Sequence, residues 1–195
     1  MKTLCRLILM AAMLVPRAAT AQSRWTIDKE HSNIGFSVAH FLISDTVGCF
    51  RIFDATIVAP EGDFVGGTVS FTAKTASVFT GNKERDGHLR SEAFFDAERY
   101  PDLKFTGTLQ KEDGKDVLKG YMTIRNVTKP MAFDVTYNGR MKDSTFHIEK
   151  AGFRIVGVLN RLDFGMRWNE RFEGGGPIVG EEVKIDLRVE INRKP

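Results

Sequence analysis

The stretch VKIDLRVEI, residues 183–191, alternates apolar and charged side chains along its whole length. Charged residues fill every position between its aliphatic side chains, which are Val183, Ile185, Leu187, Val189 and Ile191. A period of two describes a β-strand with one face in an apolar core and the other in water. The segment therefore predicts a long strand of a sheet that covers a core.

The same alternation recurs upstream, where the inward positions are Ile34, Phe36, Val38 and His40; Val69, Phe71 and Ala73; Leu103 and Phe105; Leu118, Met122 and Ile124; and Met131, Phe133, Val135 and Tyr137. Turn signals separate these segments at residues 60–63, at Asp113-Gly114 and at Asn138-Gly139. Strands joined by tight turns predict an antiparallel all-β fold, either a sandwich or a closed barrel.

One stretch, KERDGHLRSEAFFDAERYP at residues 83–101, interrupts the alternation. Asn82 is a suitable N-cap for a helix from Lys83 to about Arg90, and Pro101 forces the preceding residue out of helical geometry. The stretch thus predicts a short helical insertion, about residues 83–100, which suits a cover over one end of a barrel.

The N-terminus has the pattern of a secretory signal. Lys2 and Arg6 precede the apolar run Leu7–Val15, and Ala19-Thr20-Ala21 supplies small residues for cleavage. The run is shorter than the roughly 20 apolar residues that span a bilayer. We therefore expect residues 1–21 to be removed, and residues 22–195 to form a single exported domain, because no linker or repeat divides them.

Removing residues 1–21 changes the charge and the cysteine content. The segment carries three of the 28 basic residues and none of the 25 acidic ones, so the mature chain has 25 of each. A neutral surface offers no electrostatic footprint for nucleic acid or for anionic lipid headgroups. Cys49 remains without a partner for an intramolecular disulfide, and we expect it to be a small buried hydrophobe.

Candidates for catalysis and metal binding are sparse. His31, His40, His88 and His147 match no zinc spacing, so no metal site is predicted. Arg85, Asp86 and His88 are the best acid–base candidates, but a helix places only Arg85 and His88 on one face. Since no nucleophile or oxyanion donor lies nearby, the cluster is interpreted as an ion-paired cap and no catalytic residue is assigned.

A series of landmarks runs in order along the mature chain: Trp25-Thr26-Ile27-Asp28, His31-Ser32, Phe36-x-Val38-x-His40, Gly48-x-Phe50, Arg85-Asp86-x-His88-Leu89-x-Ser91, Phe94-Phe95-Asp96, Tyr100-Pro101, Val127-Thr128-Lys129-Pro130, Arg161-x-Asp163-Phe164-Gly165 and Val179-Gly180-x-x-Val183. Together they resemble the YceI-like family. Cys49 departs from the family pattern, which often has a basic residue there, and Asn126 stands where glycine is common.

The resemblance implies an eight-stranded antiparallel lipocalin-like barrel, usually exported to the bacterial periplasm. It also implies a long apolar tunnel that holds a polyisoprenoid, such as an isoprenoid quinone or its precursor, or a comparable long-chain amphiphile. It implies no catalytic residues and no cofactor other than the bound lipid. It is compatible with transient membrane contact and leaves the oligomeric state open, a dimer included.

Combined with the alternation, the resemblance assigns candidate site residues. The predicted tunnel lining is Ile34, Phe36, Val38, His40, Phe50, Phe53, Phe71, Phe105, Met122, Ile124, Phe133, Val135 and Phe153. The predicted lid or headgroup contacts are Arg85, Asp86, His88, Phe94 and Phe95. Three alternatives stay open: a filled aromatic core, an enzyme that acts on a small apolar substrate through Arg85, Asp86 and His88, and a stress-response or interaction scaffold.

Overall fold

The computed structural model describes residues 21–145, 147–173 and 175–194. Residues 1–20 of the predicted signal segment lie outside the described residues. One α-helix, α1 (Lys83–Arg90), occurs in the described ranges, together with short 3-10 turns at Thr75–Ser77 and Arg161–Phe164. The strands in these ranges are β1 (Gln22–Ile27), β2 (Asn33–His40), β3 (Ser44–Phe50), β4 (Phe53–Pro60), β5 (Thr68–Lys74), β6 (Val78–Phe79), β7 (Asp102–Glu112), β8 (Lys115–Ile124), β9 (Val127–Asp143), β10 (Ile148–Asn160) and β11 (Val179–Arg193).

Eight strands form a closed antiparallel barrel, which confirms the predicted fold. Their order around the wall is β1, β4, β5, β7, β8, β9, β10 and β11, and the ring closes where β11 returns to β1. Trp25 lies opposite Arg193 at this closure, and Ile27 lies opposite Ile191. Closure satisfies the backbone hydrogen bonds of strands that would otherwise form sheet edges. Among the described helices, none has the length and hydropathy required to span a membrane.

Three strands of the wall are interrupted side by side. β11 pairs with β1 near its C-terminal end and with β2 between Val179 and Arg188, with a register shift before Val183. β1 and β2 are therefore two parts of one wall strand. β3 and β4 follow the same course, since β3 pairs with β2 and β4 pairs with β1. β5 and β6 pair with β4 and β3 in turn. The barrel therefore has one end built around β1 and an opposite end built around β2, β3 and β6.

The stretch VKIDLRVEI lies within β11, as its alternation predicts. Its aliphatic side chains pack against the core, and Ile191 is buried. Its charged residues face outward, where Asp186 receives two 3.0 Å hydrogen bonds from the guanidinium of Arg154 on β10. Burial of the apolar inner face therefore stabilises the sheet, whereas the exposed ion pairs on its outer face add little stability.

An aromatic cluster fills the end of the barrel at β1. The ring of Phe64, from the loop after β4, lies 5.2 Å from Trp25 and 5.0 Å from Phe153. Tyr137 lies 5.3 Å from Phe153, and the guanidinium of Arg140 lies 5.1 Å from the Phe64 ring. Trp25, Phe64 and Phe153 are all buried, so this end of the barrel is closed.

Helix α1 begins as predicted. The side chain of Asn82 accepts a 3.0 Å hydrogen bond from the backbone N–H of Arg85 and so caps the first turn. The helix ends at Arg90 because Ser91 adopts an extended backbone with ψ of 173°. Residues 91–100 continue as tight turns, with Asp96 in the left-handed region.

Candidate functional site

A wide cavity of about 480 Å³ lies beneath α1 at the open end of the barrel. Its walls come from β2, β3 and β11, from α1 and the turns that follow, and from the segment after the 3-10 turn Arg161–Phe164. Its lining includes the polar side chains of His40, Thr46, Thr80, Asn82, Glu84, Arg85, His88 and Arg161. Asn82, Glu84 and Arg85 are exposed, so the first turn of α1 marks the mouth.

A narrower cavity of about 140 Å³ lies deeper in the barrel. Every residue that lines it is apolar or glycine, and it ends against Phe64 and Phe153 of the aromatic cluster. Both cavities are bordered by Phe36, Phe50, Leu103, Leu159 and Ile185. The two spaces therefore follow one another along the barrel axis, from a mixed polar mouth to a wholly apolar blind end.

Phe36 stands at the junction of the two cavities. Its ring lies 5.9 Å from that of Phe50, and the side chain is only partly buried because it faces the open space. A Cβ atom on Gly48 would come within 2.5 Å of the Phe36 ring. Glycine at position 48 therefore leaves the space that the ring of Phe36 occupies.

The structure distributes the predicted lining residues along this axis. Val38, His40 and Ile124 border the wide cavity, and Phe36 and Phe50 border both cavities. The narrow cavity is bordered by Ile34, Phe71, Phe105, Met122, Phe133, Val135 and Phe153. Phe53 is buried but borders neither cavity. The interruption at Arg51 and Ile52 shifts the alternation there, since Ile52 is exposed.

The cover over the wide cavity is largely aromatic and aliphatic on its inner side. Leu89, Phe94 and Phe95 all border the cavity, and the ring of Phe95 lies 5.5 Å from that of Phe50. The His88 ring contacts Phe94 at 5.1 Å. Three of the predicted lid residues, His88, Phe94 and Phe95, thus lie together above the cavity.

Arg85 and Asp86 form hydrogen bonds with Thr80, whereas His88 packs against Phe94. Asp86 is buried, and its Oδ1 accepts hydrogen bonds from the backbone N–H of Thr80 at 2.8 Å and from its hydroxyl at 2.6 Å. Arg85 donates from Nε to the Thr80 hydroxyl at 2.7 Å and from Nη2 to the Thr80 carbonyl at 2.9 Å. Asp86 does not border the cavity, so the structure does not assemble it with His88 as an acid–base pair.

Arg161 is a buried charged residue of the wide cavity that the sequence analysis did not assign. It donates to four backbone carbonyls: Gly180 at 2.8 Å, Trp168 at 2.9 Å, Val179 at 3.3 Å, and Met166. Among the described residues it forms no ion pair with a carboxylate. Burial lowers the pKa of its guanidinium, and the nearby Glu181 charge partly opposes that effect.

The local sequence explains how Arg161 is placed. The side chain of Asn160 at the end of β10 accepts a 2.9 Å hydrogen bond from the backbone N–H of Leu162 and so starts the 3-10 turn. Gly165 ends the turn in the left-handed region with φ of 78°. The turn points Arg161 back beneath the cover. The local sequence signals only the turn, through the capping Asn160 before Arg161 and Gly165 at its end, and not the carbonyls that Arg161 contacts.

A second polar cluster lies outside the cavities, at the interruption between β1 and β2. Asp28, His31 and Glu190 bring their ligating atoms within 4.8 Å of one another. The ammonium of Lys150 already occupies this cluster, 2.6 Å from Glu190 and 3.3 Å from Asp28. Burial raises the pKa of Asp28, but hydrogen bonds from Asn192, His31 and Lys150 outweigh it and hold that pKa well below its usual range.

Cys49 is half-buried, so the expectation of a fully buried thiol is wrong. Phe50 faces the barrel interior and is buried, which turns the neighbouring residue toward the outer face of β3. Across that face Cys49 pairs with Gly35 on β2 and Phe79 on β6.

Solved structures share this architecture. BcnA of Burkholderia cenocepacia superposes with a TM-score of 0.71 at 22% identity, covering 84% of this chain and 98% of that chain. A polyisoprenoid binding domain from Saccharophagus degradans superposes with a TM-score of 0.62 at 12% identity, covering 88% and 98%. At these identities the likeness shows a common fold.

Sequence comparison identifies the family of the chain. A UPF0312 protein of Staphylococcus epidermidis is 31% identical over 170 residues, which cover 87% of this chain and 98% of the relative. The profile of the YceI-like domain matches residues 25–191, from the first strand of the barrel to its last. The chain belongs to the YceI-like domain family.

Proposed function

We propose that the protein binds a long-chain lipid, a polyisoprenoid or a similar amphiphile, inside its barrel. The observation that carries the proposal is the succession of a 480 Å³ cavity and a wholly apolar blind cavity along one axis. The wide cavity lies within the range of about 300–1,000 Å³ typical of ligand pockets. An apolar chain is the ligand that an apolar blind end favours.

The distribution of polar groups supports one orientation of the ligand. His40, Arg85, His88 and Arg161 border only the wide cavity, and the narrow cavity has no polar side chain in its lining. A head with oxygen acceptors would lie at the wide end, where the guanidinium of Arg161 is buried without a carboxylate partner among the described residues. The apolar tail would then extend toward Phe153. An isoprenoid quinone or its precursor has this combination of head and tail.

The choice of a polyisoprenoid has separate support. The structural neighbour from Saccharophagus degradans is described as a polyisoprenoid binding domain and has the same barrel. Identity to that domain is 12%, so a polyisoprenoid ligand is a proposal for this chain. The predicted signal segment at residues 1–21 extends the proposal to a protein that works in the periplasm.

Energetics favour a carrier or buffer over a permanent sink. A lipid gains about 0.8 kcal/mol per methylene on leaving water, but much of this is lost in ordering a flexible chain. A lipid drawn from a membrane is already out of water, so the net preference of the barrel is small. The protein would then take up and release its lipid reversibly.

Tryptophan fluorescence tests this function, because the two tryptophans lie at opposite ends of the ligand path. Trp168 borders the wide cavity, and Trp25 belongs to the aromatic cluster at the closed end. Titrating the delipidated mature chain with a long-chain isoprenoid quinone should quench Trp168 saturably at one quinone per chain. Trp168→Phe should remove most of the quenching. An absence of saturable quenching in both proteins would refute the proposal, and strong quenching of Trp25 alone would reverse the orientation.

A further inference from the structure

The hairpin between β2 and β3 carries an exposed apolar tip. Leu42 and Ile43 are 65% and 87% exposed, and they occupy consecutive positions of the turn between His40 and Ser44. Single exposed aliphatic residues are ordinary on protein surfaces, but two adjacent ones at a projecting turn form a small apolar point. Residues Phe41, Leu42 and Ile43 form this tip.

The backbone of the tip is strained. Phe41 and Leu42 have φ values of 51° and 61°, in the left-handed region that bulky residues rarely adopt. The base of the turn is nevertheless fixed. The backbone N–H of Phe41 donates a 2.9 Å hydrogen bond to the carbonyl of Ile178, and its ring lies 5.7 Å from that of Phe172. The fold therefore holds two apolar side chains in solvent on a strained but anchored turn.

The tip stands beside the mouth of the wide cavity. His40, at the base of the hairpin, borders this cavity, and so do Thr46 on β3 and Ile178, which anchors Phe41. The opposite end of the barrel is closed by the aromatic cluster around Phe64. A lipid that enters or leaves the interior without opening that cluster would pass through the end of the barrel that carries the tip.

We propose that the tip inserts into the surface of a lipid bilayer and brings the cavity mouth to the membrane. The inference rests on the proposed function, because it assumes that the cargo is a membrane lipid. A convex tip of this size cannot supply the roughly 800 Å² that each partner buries in a standard protein interface. A fluid bilayer accepts a convex apolar tip without shape complementarity. Since the mature chain has 25 basic and 25 acidic residues, docking is driven by apolar insertion and not by net charge.

Lipid transfer from vesicles tests the tip directly. The mature chain is mixed with phosphatidylcholine vesicles that contain a fluorescent long-chain polyisoprenol, and the rate of transfer into the protein is followed. The test variant combines Leu42→Asn with Ile43→Ser. Asparagine tolerates the left-handed backbone, so this variant should fold at least as well as the parent. Val47→Ser is the matched control, because Val47 is 67% exposed on β3 but lies outside the turn.

We expect the tip variant to lose transfer rate by about tenfold or more, as two apolar side chains no longer leave water, while Val47→Ser keeps the parent rate. Its affinity for the polyisoprenol supplied in solution should be unchanged. An Ile43→Trp protein should shift its emission to the blue with neutral vesicles at high salt. That shift reports docking even if no lipid binds, so it separates failure of docking from failure of the proposed function.

Three results would overturn the docking proposal. The first is an unchanged transfer rate in the tip variant. The second is a blue shift that requires anionic phosphatidylglycerol and disappears at high salt, which would indicate electrostatic adsorption. The third is a solution dimer of the parent that the tip substitutions dissociate, because the tip would then contact a second copy of the chain.

Discussion

The imidazole ring of His88 lies 4.5 Å from the indole ring of Trp168, edge to face at 84°. His88 belongs to α1, and Trp168 belongs to the segment that follows the 3-10 turn Arg161–Phe164. Phe94 contacts both rings, at 5.1 Å and 5.4 Å. These three residues join the cover to the body of the barrel above the wide cavity.

Shortening the His88 side chain should loosen the cover. We expect His88→Ala to accelerate release of bound lipid into acceptor vesicles by up to about tenfold, since each aromatic contact contributes about 0.5–1.5 kcal/mol. Lys83→Ala is the control, because Lys83 is exposed on the same helix and does not border the cavity. Equal release rates in all three proteins would show that this contact does not limit exchange.

Phe36 distinguishes a hollow interior from a filled core. Phe36→Asp places a carboxylate at the junction of the cavities, where space exists for hydration. We expect loss of lipid retention with only moderate loss of stability. Phe105→Asp should instead lose several kcal/mol of unfolding free energy, because Phe105 is buried against Phe133 at 5.5 Å. Denaturant titration beside lipid quantification checks both. Comparable collapse of the two variants would favour a filled core.

Arg161 should be a large contributor to stability despite its charge. Arg161→Met removes the guanidinium donor from four backbone carbonyls, of which that of Val179 keeps a 2.7 Å hydrogen bond from the side-chain amide of Asn169. Each buried acceptor left unsatisfied costs about 1–3 kcal/mol. Urea unfolding should therefore show a loss of several kcal/mol, with Arg161→Lys intermediate. Arg154→Met is the control, because its ion pair with Asp186 is exposed and its loss should change stability little. Similar losses for Arg161→Met and Arg154→Met would contradict the assigned role.

Asp28 should make stability depend on pH. Hydrogen bonds from Asn192, His31 and Lys150 lower its pKa in the folded state. The ionised carboxylate therefore stabilises the fold above the unfolded pKa of about 3.9, and this stabilisation is lost as pH falls. We expect Asp28→Asn to be less stable than the parent by about 1–3 kcal/mol at pH 7, with the difference shrinking below about pH 4.

Urea unfolding at a series of pH values measures this difference. Asp54→Asn provides the comparison, because Asp54 is exposed and lies 3.6 Å from an exposed Lys29. Its effect should be small throughout. A parent-to-Asp28→Asn difference that stays constant from pH 7 to pH 3 would argue against the lowered pKa.

The barrel could be predicted because its strands obey a local rule. The alternation of residues 183–191 predicts β11, and Asn82 predicts the start of α1, since both depend on neighbours in the chain. The interruption between β3 and β4 was not predictable in the same way. Phe50 and Phe53 are both apolar and both buried. The two residues between them, Arg51 and Ile52, are exposed, so the alternation of inward and outward residues is interrupted there.

The candidate site was harder to predict from the sequence, because it depends on contacts between residues far apart in the chain. Whether phenylalanines fill or line a barrel depends on how the wall curves, which involves residues far apart in the chain. Arg161 donates to carbonyls up to 19 residues away in the sequence, and no local sequence pattern predicts these hydrogen bonds. Asp86 lies close to Arg85 and His88 in the sequence, but hydrogen bonds with Thr80 hold its carboxylate outside the cavity.

Organic extraction followed by mass spectrometry tests most directly whether the barrel interior holds a long-chain lipid. The protein is purified from its own source, beside Phe36→Asp prepared in the same way. We expect about one long-chain isoprenoid per parent molecule and a strongly reduced amount from the variant. A parent protein that repeatedly yields no lipid, and takes up none when delipidated and offered polyisoprenol, would contradict the claim.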